Sequence, residues 1–200
     1  MPEVAPMLIV GALAARVEAE LLGGHLACPS CRRALGPWGY ARSRVLRCAG
    51  GDLPLRPRRA RCRGCAGTHV LLPDLCLLRR CDEVRVIGAA LQAKAGGLGQ
   101  RRIARELGLP AATVRGWLGR FAGRAEAIRA HFLCWASALD PELSPLAPAG
   151  SAVADALEAI AVAVRAFVLR FGSRPFWPLV ASLSGGLLLA TRGRAYPAVP

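Results

Sequence analysis

Two pairs of cysteines pose the first chemical question. Cys28-Pro29-Ser30-Cys31 and Cys62-Arg63-Gly64-Cys65 are CxxC knuckles with thirty residues between Cys31 and Cys62. Each presents two thiolates from one tight turn, and two such turns brought together make a tetrahedral four-cysteine site for Zn2+. Pro29 fixes φ and Gly64 permits backbone angles that other residues avoid, which suits such turns. Four thiolates leave no open coordination position, so the expected zinc is structural rather than catalytic. The alternative is a pair of disulfides or buried free thiols. Cys48, His25 and His69 are substitute ligands outside the knuckles. Cys76, Cys81 and Cys134 fall in apolar or helical stretches, where a cysteine is usually a small buried side chain.

A second constellation runs from about Gln100 to Arg120. Ala104 is small where two helices would cross closely, Gly108 falls four residues later at a turn, and Val114 comes six residues after that. Ile103, Leu107, Leu109 and Trp117 complete an apolar seam, and this spacing predicts a helix-turn-helix. In such motifs the second helix enters the major groove of double-stranded DNA. Thr113, Arg115 and Ala112 are the candidates for base edges, since Arg bonds guanine bidentately and Ala can touch a thymine methyl. Arg101, Arg102, Arg105 and Arg120 also point away from the seam, and the first three suit phosphates. An ordinary helical hairpin with a solvated basic face is the bland alternative. Trp117 reads as core. Trp38 could stack on a base, but packing a small ribbon is the stronger expectation.

The elements that must position these residues follow from punctuation and periodicity. Met7 to Val10 reads as a strand, and Ala12 to Leu22 as a helix ended by Gly23-Gly24. Tyr40 to Arg47 and Leu55 to Arg61 could pair as a hairpin around Ala49-Gly50-Gly51-Asp52. From Asp82, a candidate N-cap, the pattern turns helical: Val84, Ile87 and Leu91 share a face, and Gly96-Gly97 closes it. Helices fit Gln100 to Leu107, Ala111 to Phe121, Arg124 to Leu139 and Ala152 to Phe171. The tail from Ser173 has no assignment. The expected fold class is mainly α with a small N-terminal β zinc ribbon, a tri-helical helix-turn-helix core and a helical C-terminal region. The expected division is an N-terminal strand and helix (1–27), a zinc-ribbon-like module (28–80) and a helix-turn-helix region (82–139). A linker (140–150) and a C-terminal helix with a hydrophobic tail (151–200) follow.

Charge supports a polyanionic partner. The chain of 200 residues carries +14, with 27 Lys and Arg against 13 acids. All but one of the cations are Arg, beside abundant Ala, Gly and Pro, as a GC-rich coding bias would produce. That bias acts everywhere, yet the excess is local: residues 28–130 hold 21 basic and 6 acidic side chains. Lys and Arg on phosphates release condensed counterions, so nucleic acid leads the partner classes. Met7 to Ala15 is apolar but follows Glu3 rather than a basic segment, so no signal peptide is expected. Asp155, Glu158, Arg165 and Arg170 interrupt Ser151 to Phe171, and Phe176 to Ala190 is short and broken by Pro178 and Gly185-Gly186, so no membrane span is expected. A reducing cytoplasm is the expected compartment, where paired CxxC motifs favour metal over disulfides.

The CPxC knuckle, Trp38-Gly39-Tyr40-Ala41-Arg42, Cys62-Arg-Gly-Cys65 with Thr68-His69-Val70-Leu71-Leu72-Pro73, and Thr113-Val114-Arg115-Gly116-Trp117-Leu118 together carry a resemblance. Over residues 20 to 135 the chain resembles a family of transposase-related proteins common in high-GC bacteria. The resemblance implies the DNA-binding front end of an insertion-sequence transposase, which would recognise element ends. Transposases of that kind hold two metal ions on three carboxylates of an RNase H-like sheet. After Phe121 only Glu126, Asp140, Glu142, Asp155 and Glu158 remain, all expected in helices or the linker. The expectation is therefore a sequence-specific DNA-binding protein, a transposase-like module or a transcriptional regulator, with no catalytic domain and no enzymatic activity. A homodimer or a separate catalytic protein are further partners it allows. The alternatives are a metal-dependent transposase or nuclease with unrecognised chemistry, and a zinc-ribbon protein-interaction adaptor.

Overall fold

The computed structural model describes residues 7–191 and 195–199, which form two compact units divided between Glu83 and Val84. Residues 1–6, 192–194 and 200, which belong to the expected N-terminal segment and C-terminal tail, lie outside the described residues.

In the first unit, β1 (Met7–Val10) leads into α1 (Ala14–Leu22), followed by β2 (Leu35–Tyr40), β3 (Arg44–Cys48), β4 (Gly51–Leu55), β5 (Arg58–Cys62) and β6 (Thr68–Pro73). Four strands form one mixed sheet in the order β1-β6-β5-β2, while β3 and β4 form a separate hairpin. β1 runs parallel to β6, with Met7 opposite Val70 and Val10 opposite Pro73. Val17 and Leu21 of α1 bury against Val10, Leu35, Ala60 and Leu71, so helix and sheet share one core with Cys28 and Cys62 at its edge. Arg58 ties the two layers together by a two-pronged contact with Glu18, at 2.8 and 2.9 Å. That pairing holds the Glu18 carboxyl below its ordinary value, because the guanidinium hydrogen bond outweighs desolvation.

The second unit holds α2 (Val84–Ala95), α3 (Gln100–Glu106), α4 (Ala111–Ala122), α5 (Ala125–Leu139), α6 (Ala152–Phe171) and α7 (Phe176–Leu183). Helices α2, α3 and α4 pack on one another, and α5 lies along α6. Ile128, Phe132 and Ala136 of α5, and Ala156, Ile160, Ala163 and Val164 of α6, are buried. On both helices buried positions recur three and four residues apart. Ser151 caps α6 by accepting from the Ala154 amide at 3.2 Å. Residues 140–150 connect two helices of this same unit. The short helix α7 rests on α2, and Gly88 is required there because a Cβ would collide with the Trp177 indole.

The fold class differs from the expectation. The chain is not mainly α with a small N-terminal ribbon; among the described residues seven helices accompany a mixed four-stranded sheet and a two-stranded one. The reason lies in long-range pairing. β1 joins β6, which follows it only after four other strands and a helix, so the segment expected as an appendage becomes a strand of the main sheet. The hairpin expected from Tyr40–Arg47 and Leu55–Arg61 also divides. Arg44–Cys48 pairs with Gly51–Leu55, whereas Tyr40 pairs with Arg58 in the larger sheet. The carboxylate of Asp82, expected as the N-cap of α2, is buried and met by Arg47 at 2.8 Å.

Candidate functional site

Cys28 and Cys31 sit in the loop between α1 and β2, Cys62 ends β5, and Cys65 lies in the turn to β6. The isolated bridge Ala27–Ala34 closes the first knuckle, within which the Arg32 amide donates to the Cys28 carbonyl at 2.9 Å. In the second, the Cys62 amide donates to the Gly67 carbonyl at 2.8 Å. Each knuckle turns on the residue after its second cysteine: Arg32 has φ 62° and Ala66 has φ 58°. These are left-handed values that cost a non-glycine residue of the order of 1 kcal/mol or more and persist only where surroundings impose them. Gly64 serves differently from expectation. It does not adopt positive φ; a Cβ on it would lie 2.7 Å from Cγ of Arg33, so it makes room for that side chain.

The four thiols converge. Their sulfurs lie within 4.8 Å of one another, with Cys31 to Cys62 at 3.3 Å and Cys28 to Cys65 at 3.7 Å. Zn–S bonds of about 2.3 Å in a tetrahedron give sulfur–sulfur edges of about 3.8 Å, so the donor set fits a tetrahedral metal ion. All eight cysteines are free thiols. Two amides aim at Cys62 Sγ, from Gly64 at 3.3 Å and Cys65 at 3.5 Å. The Cys65 amide is the largest influence on that thiol, which is pulled down to about 6 against the cost of burial. Cys28 is lowered too: burial, the largest influence, opposes ionisation, and the Cys31 and Ser30 amides together with Cys65 and His69 outweigh it. Cys65 is pushed up to about 11, because the favourable Gly67 amide, the largest single influence, is overcome by the neighbouring thiols of Cys31, Cys62 and Cys28 together. A cluster that resists ionising fully by itself is one that a divalent cation completes by accepting all four thiolates.

His69 adds a contact that spacing alone did not assign. It is buried, and its Nε2 lies 3.4 Å from Cys28 Sγ, positioned to donate to the thiolate. Its Nδ1 has no hydrogen-bond partner among the described residues. Cys48 instead donates to the Leu46 carbonyl, His25 lies outside the cluster, and neither belongs to the four-sulfur set.

In the second unit, Gly108 takes φ 64° as α3 ends, and the Leu109 amide returns to the Ala104 carbonyl at 2.9 Å. This left-handed glycine stop redirects the chain into α4. Ile103, Ala104, Val114 and Trp117 are buried, while Leu107 and Leu109 are half-buried. Arg101, Arg102, Arg105, Ala112, Arg115 and Arg120 are exposed and Thr113 is half-buried. Arg102 pairs with Glu106 at 2.8 Å, and Arg120 donates to the Gly116 carbonyl at 3.0 Å. A shallow depression of about 390 Å³ runs beside α4, bounded by Arg115, Gly116, Gly119, Arg120 and Thr191. The glycines open it, and they were not singled out from sequence.

Among the described residues no helix is long and apolar enough to cross a membrane. Comparisons with protein families, curated proteins and solved structures return no match.

Proposed function

We propose that this chain is a sequence-specific DNA-binding protein of the cytoplasm, transposase-like or regulatory, whose cysteine cluster holds a structural Zn2+. The observation that carries this reading is the α3–α4 corner. A left-handed Gly108 joins two helices whose Ala104, Val114 and Trp117 face inward, while five arginines stand in solvent. With α4 in the major groove, Arg115 and Ala112 address base edges and Thr113 flanks them. Arg101, Arg102 and Arg105 of α3 address phosphates, with Arg120 toward the far end of α4. The Arg102–Glu106 pair does not oppose this, since an exposed i,i+4 ion pair contributes only about 0.3–0.5 kcal/mol. Zinc would order the knuckles and thereby the sheet; no reaction step is assigned to it, and no carboxylate set is assigned catalysis.

Fluorescence anisotropy on selected and scrambled duplexes across a salt series tests the reading. Arg115→Ala is expected to weaken the preferred site by about 1–3 kcal/mol and relax base choice there. Arg101→Ala is expected to weaken all duplexes similarly and flatten the plot of log K against log salt by about one unit. With magnesium or manganese the duplexes are expected to stay uncut. A folded Arg101, Arg102, Arg115 triple-Ala variant that binds duplex as tightly as the parent overturns the assignment.

A further inference from the structure

Residues 28–65 contain ten arginines and a single acid, Asp52. This run lies outside the helix-turn-helix, and its Arg33 and Arg63 border the cysteine cluster. Arg47 and Arg58 are engaged by Asp82 and Glu18. Arg33, Arg61 and Arg63 are exposed.

Beside Arg61 stands an aromatic ring that the fold leaves about half exposed. Trp38 lies on β2 and remains 47% exposed. The β2–β5 ladder is irregular between Pro37 and Tyr40, where Gly39 has φ 75°. A bulge of that kind re-aims the side chains beside it. The Arg61 guanidinium lies 4.7 Å from the Trp38 ring centroid, and its Nε donates to the Ala66 carbonyl at 3.3 Å. Gly36, two residues before Trp38 and paired with Arg61, leaves room for Arg63, whose Nε would be 3.3 Å from a Cβ there. Arg33 and Arg63 border an open depression of about 610 Å³ between the exposed Cys31 and Cys65.

We propose that the cysteine-cluster end of the sheet is a second nucleic-acid surface, one that takes unpaired bases. Trp38 is the stacking platform, Arg61 backs it, and Arg33 and Arg63 meet the flanking phosphates. The proposal deepens the reading of the chain as a nucleic-acid binder and rests on it. A duplex keeps both faces of each base covered, whereas a single strand offers a free face to an aromatic ring. A ring held between a guanidinium and solvent has room for one base on its open side, and cation–π attraction from Arg61 adds to the stack. A metal-loaded cluster of four thiolates would carry a net negative charge, which the adjacent arginines offset.

The test uses the zinc-loaded full chain with fluorescein-labelled dT20, U20 and a 20-base-pair duplex, read by anisotropy. Trp38→Ala is expected to weaken dT20 binding about 5- to 100-fold, the loss of one base stack, and to change duplex binding less than about twofold. Trp38→Phe keeps a π-face and should restore most of the affinity. The Arg33→Ala, Arg63→Ala double variant should flatten the dT20 salt dependence by about 1.4 in log–log slope. Equal affinity for dT20 and U20 assigns the site to chemistry common to DNA and RNA; a preference for either identifies the strand it takes. The α3–α4 triple-Ala variant should keep dT20 binding while losing duplex binding. If it keeps both, the helix-turn-helix reading fails while this surface stands. The surface itself is overturned if Trp38→Ala, with parental zinc content and circular dichroism, binds dT20 like the parent, or if the parent does not bind dT20. Should Trp38→Ala lose zinc, Arg61→Ala carries the test, with the same loss expected and parental dT20 affinity overturning the surface.

Discussion

At Cys62 two backbone amides point at one sulfur, from Gly64 and Cys65, and that thiol is already drawn down to about 6 before any cation is considered. The turn therefore prepares a thiolate, which is the form that binds metal. With the other three sulfurs within 4.8 Å, removing one donor should dismantle the site rather than adjust it. Cys62→Ser is expected to lose the metal and the order of the sheet around it, while the exposed Cys134, on α5, can be changed to Ser with about one zinc per chain retained. His69 acts on the site through Cys28, which its ring meets at 3.4 Å. His69→Phe should keep one zinc per chain but bind it about 10- to 100-fold less tightly, the usual cost of losing such a partner. Competition against a chromophoric chelator measures both; full zinc at parental affinity in the Cys62 variant would remove the cluster from consideration.

At the scale of elements, α5 and α7 are joined by an imidazole. His131 on α5 is buried, its Nε2–H donates to the Leu183 carbonyl at 2.9 Å, and Tyr196 stacks on the ring at 4.4 Å. Burial pushes the His131 pKa below its ordinary value, more than the Leu183 carbonyl raises it. The folded state thus holds the proton less well than the unfolded state. Stability from this group is fully present above the unfolded value, near about 6.5, and is lost as pH falls through the depressed folded value. The unfolding free energy from urea titrations between about pH 7.5 and about pH 5 should fall, by at most about 1.4 kcal/mol per pH unit for one proton. In His131→Gln, which cannot titrate, that part of the slope should vanish. Identical slopes in parent and variant would mean that the imidazole is not what responds.

At the scale of the molecule, two units each carry their own buried residues, and among the described residues only the first contains the cysteine cluster. If the four thiolates hold a metal as proposed, the small sheet unit should depend on it far more than six helices with an apolar core do. Stripping the metal with a strong chelator is expected to unfold the first unit and leave most of the helical circular dichroism intact. Readdition of zinc should restore the strand signal. One concerted loss of helix and strand on chelation would show instead that the units stand or fall together. If the chain binds nucleic acid as proposed, each phosphate that its Lys and Arg neutralise steepens the salt dependence, so variants are compared at matched ionic strengths along the series.

Much of this was legible in local pattern. The knuckles announce themselves by spacing, but their convergence rests on the antiparallel pairing of β2 with β5 across the inserted β3–β4 hairpin, which sets Leu35 opposite Cys62. The helices from Val84 to Phe171 follow from periodic apolar residues and from glycines at their ends, because a helix is built from contacts three and four residues apart. Gly108 was readable as a turn for the same reason. Tertiary structure alone decided the rest. The parallel pairing of Met7–Val10 with Val70–Pro73 leaves no local trace, since neither strand contains information about its partner's position. The register shift beside Trp38 and the contact of His69 on β6 with Cys28, forty-one residues earlier, arise between distant segments. α7 escaped because Pro178 and the glycines beyond Ser184 break its pattern, while tertiary packing buries Trp177, Leu179, Val180, Ala181 and Leu183, with Trp177 seated close on Gly88. Local chemistry picked out the four cysteines and the glycine-turned corner; contacts between distant residues determined which side chains stand beside them.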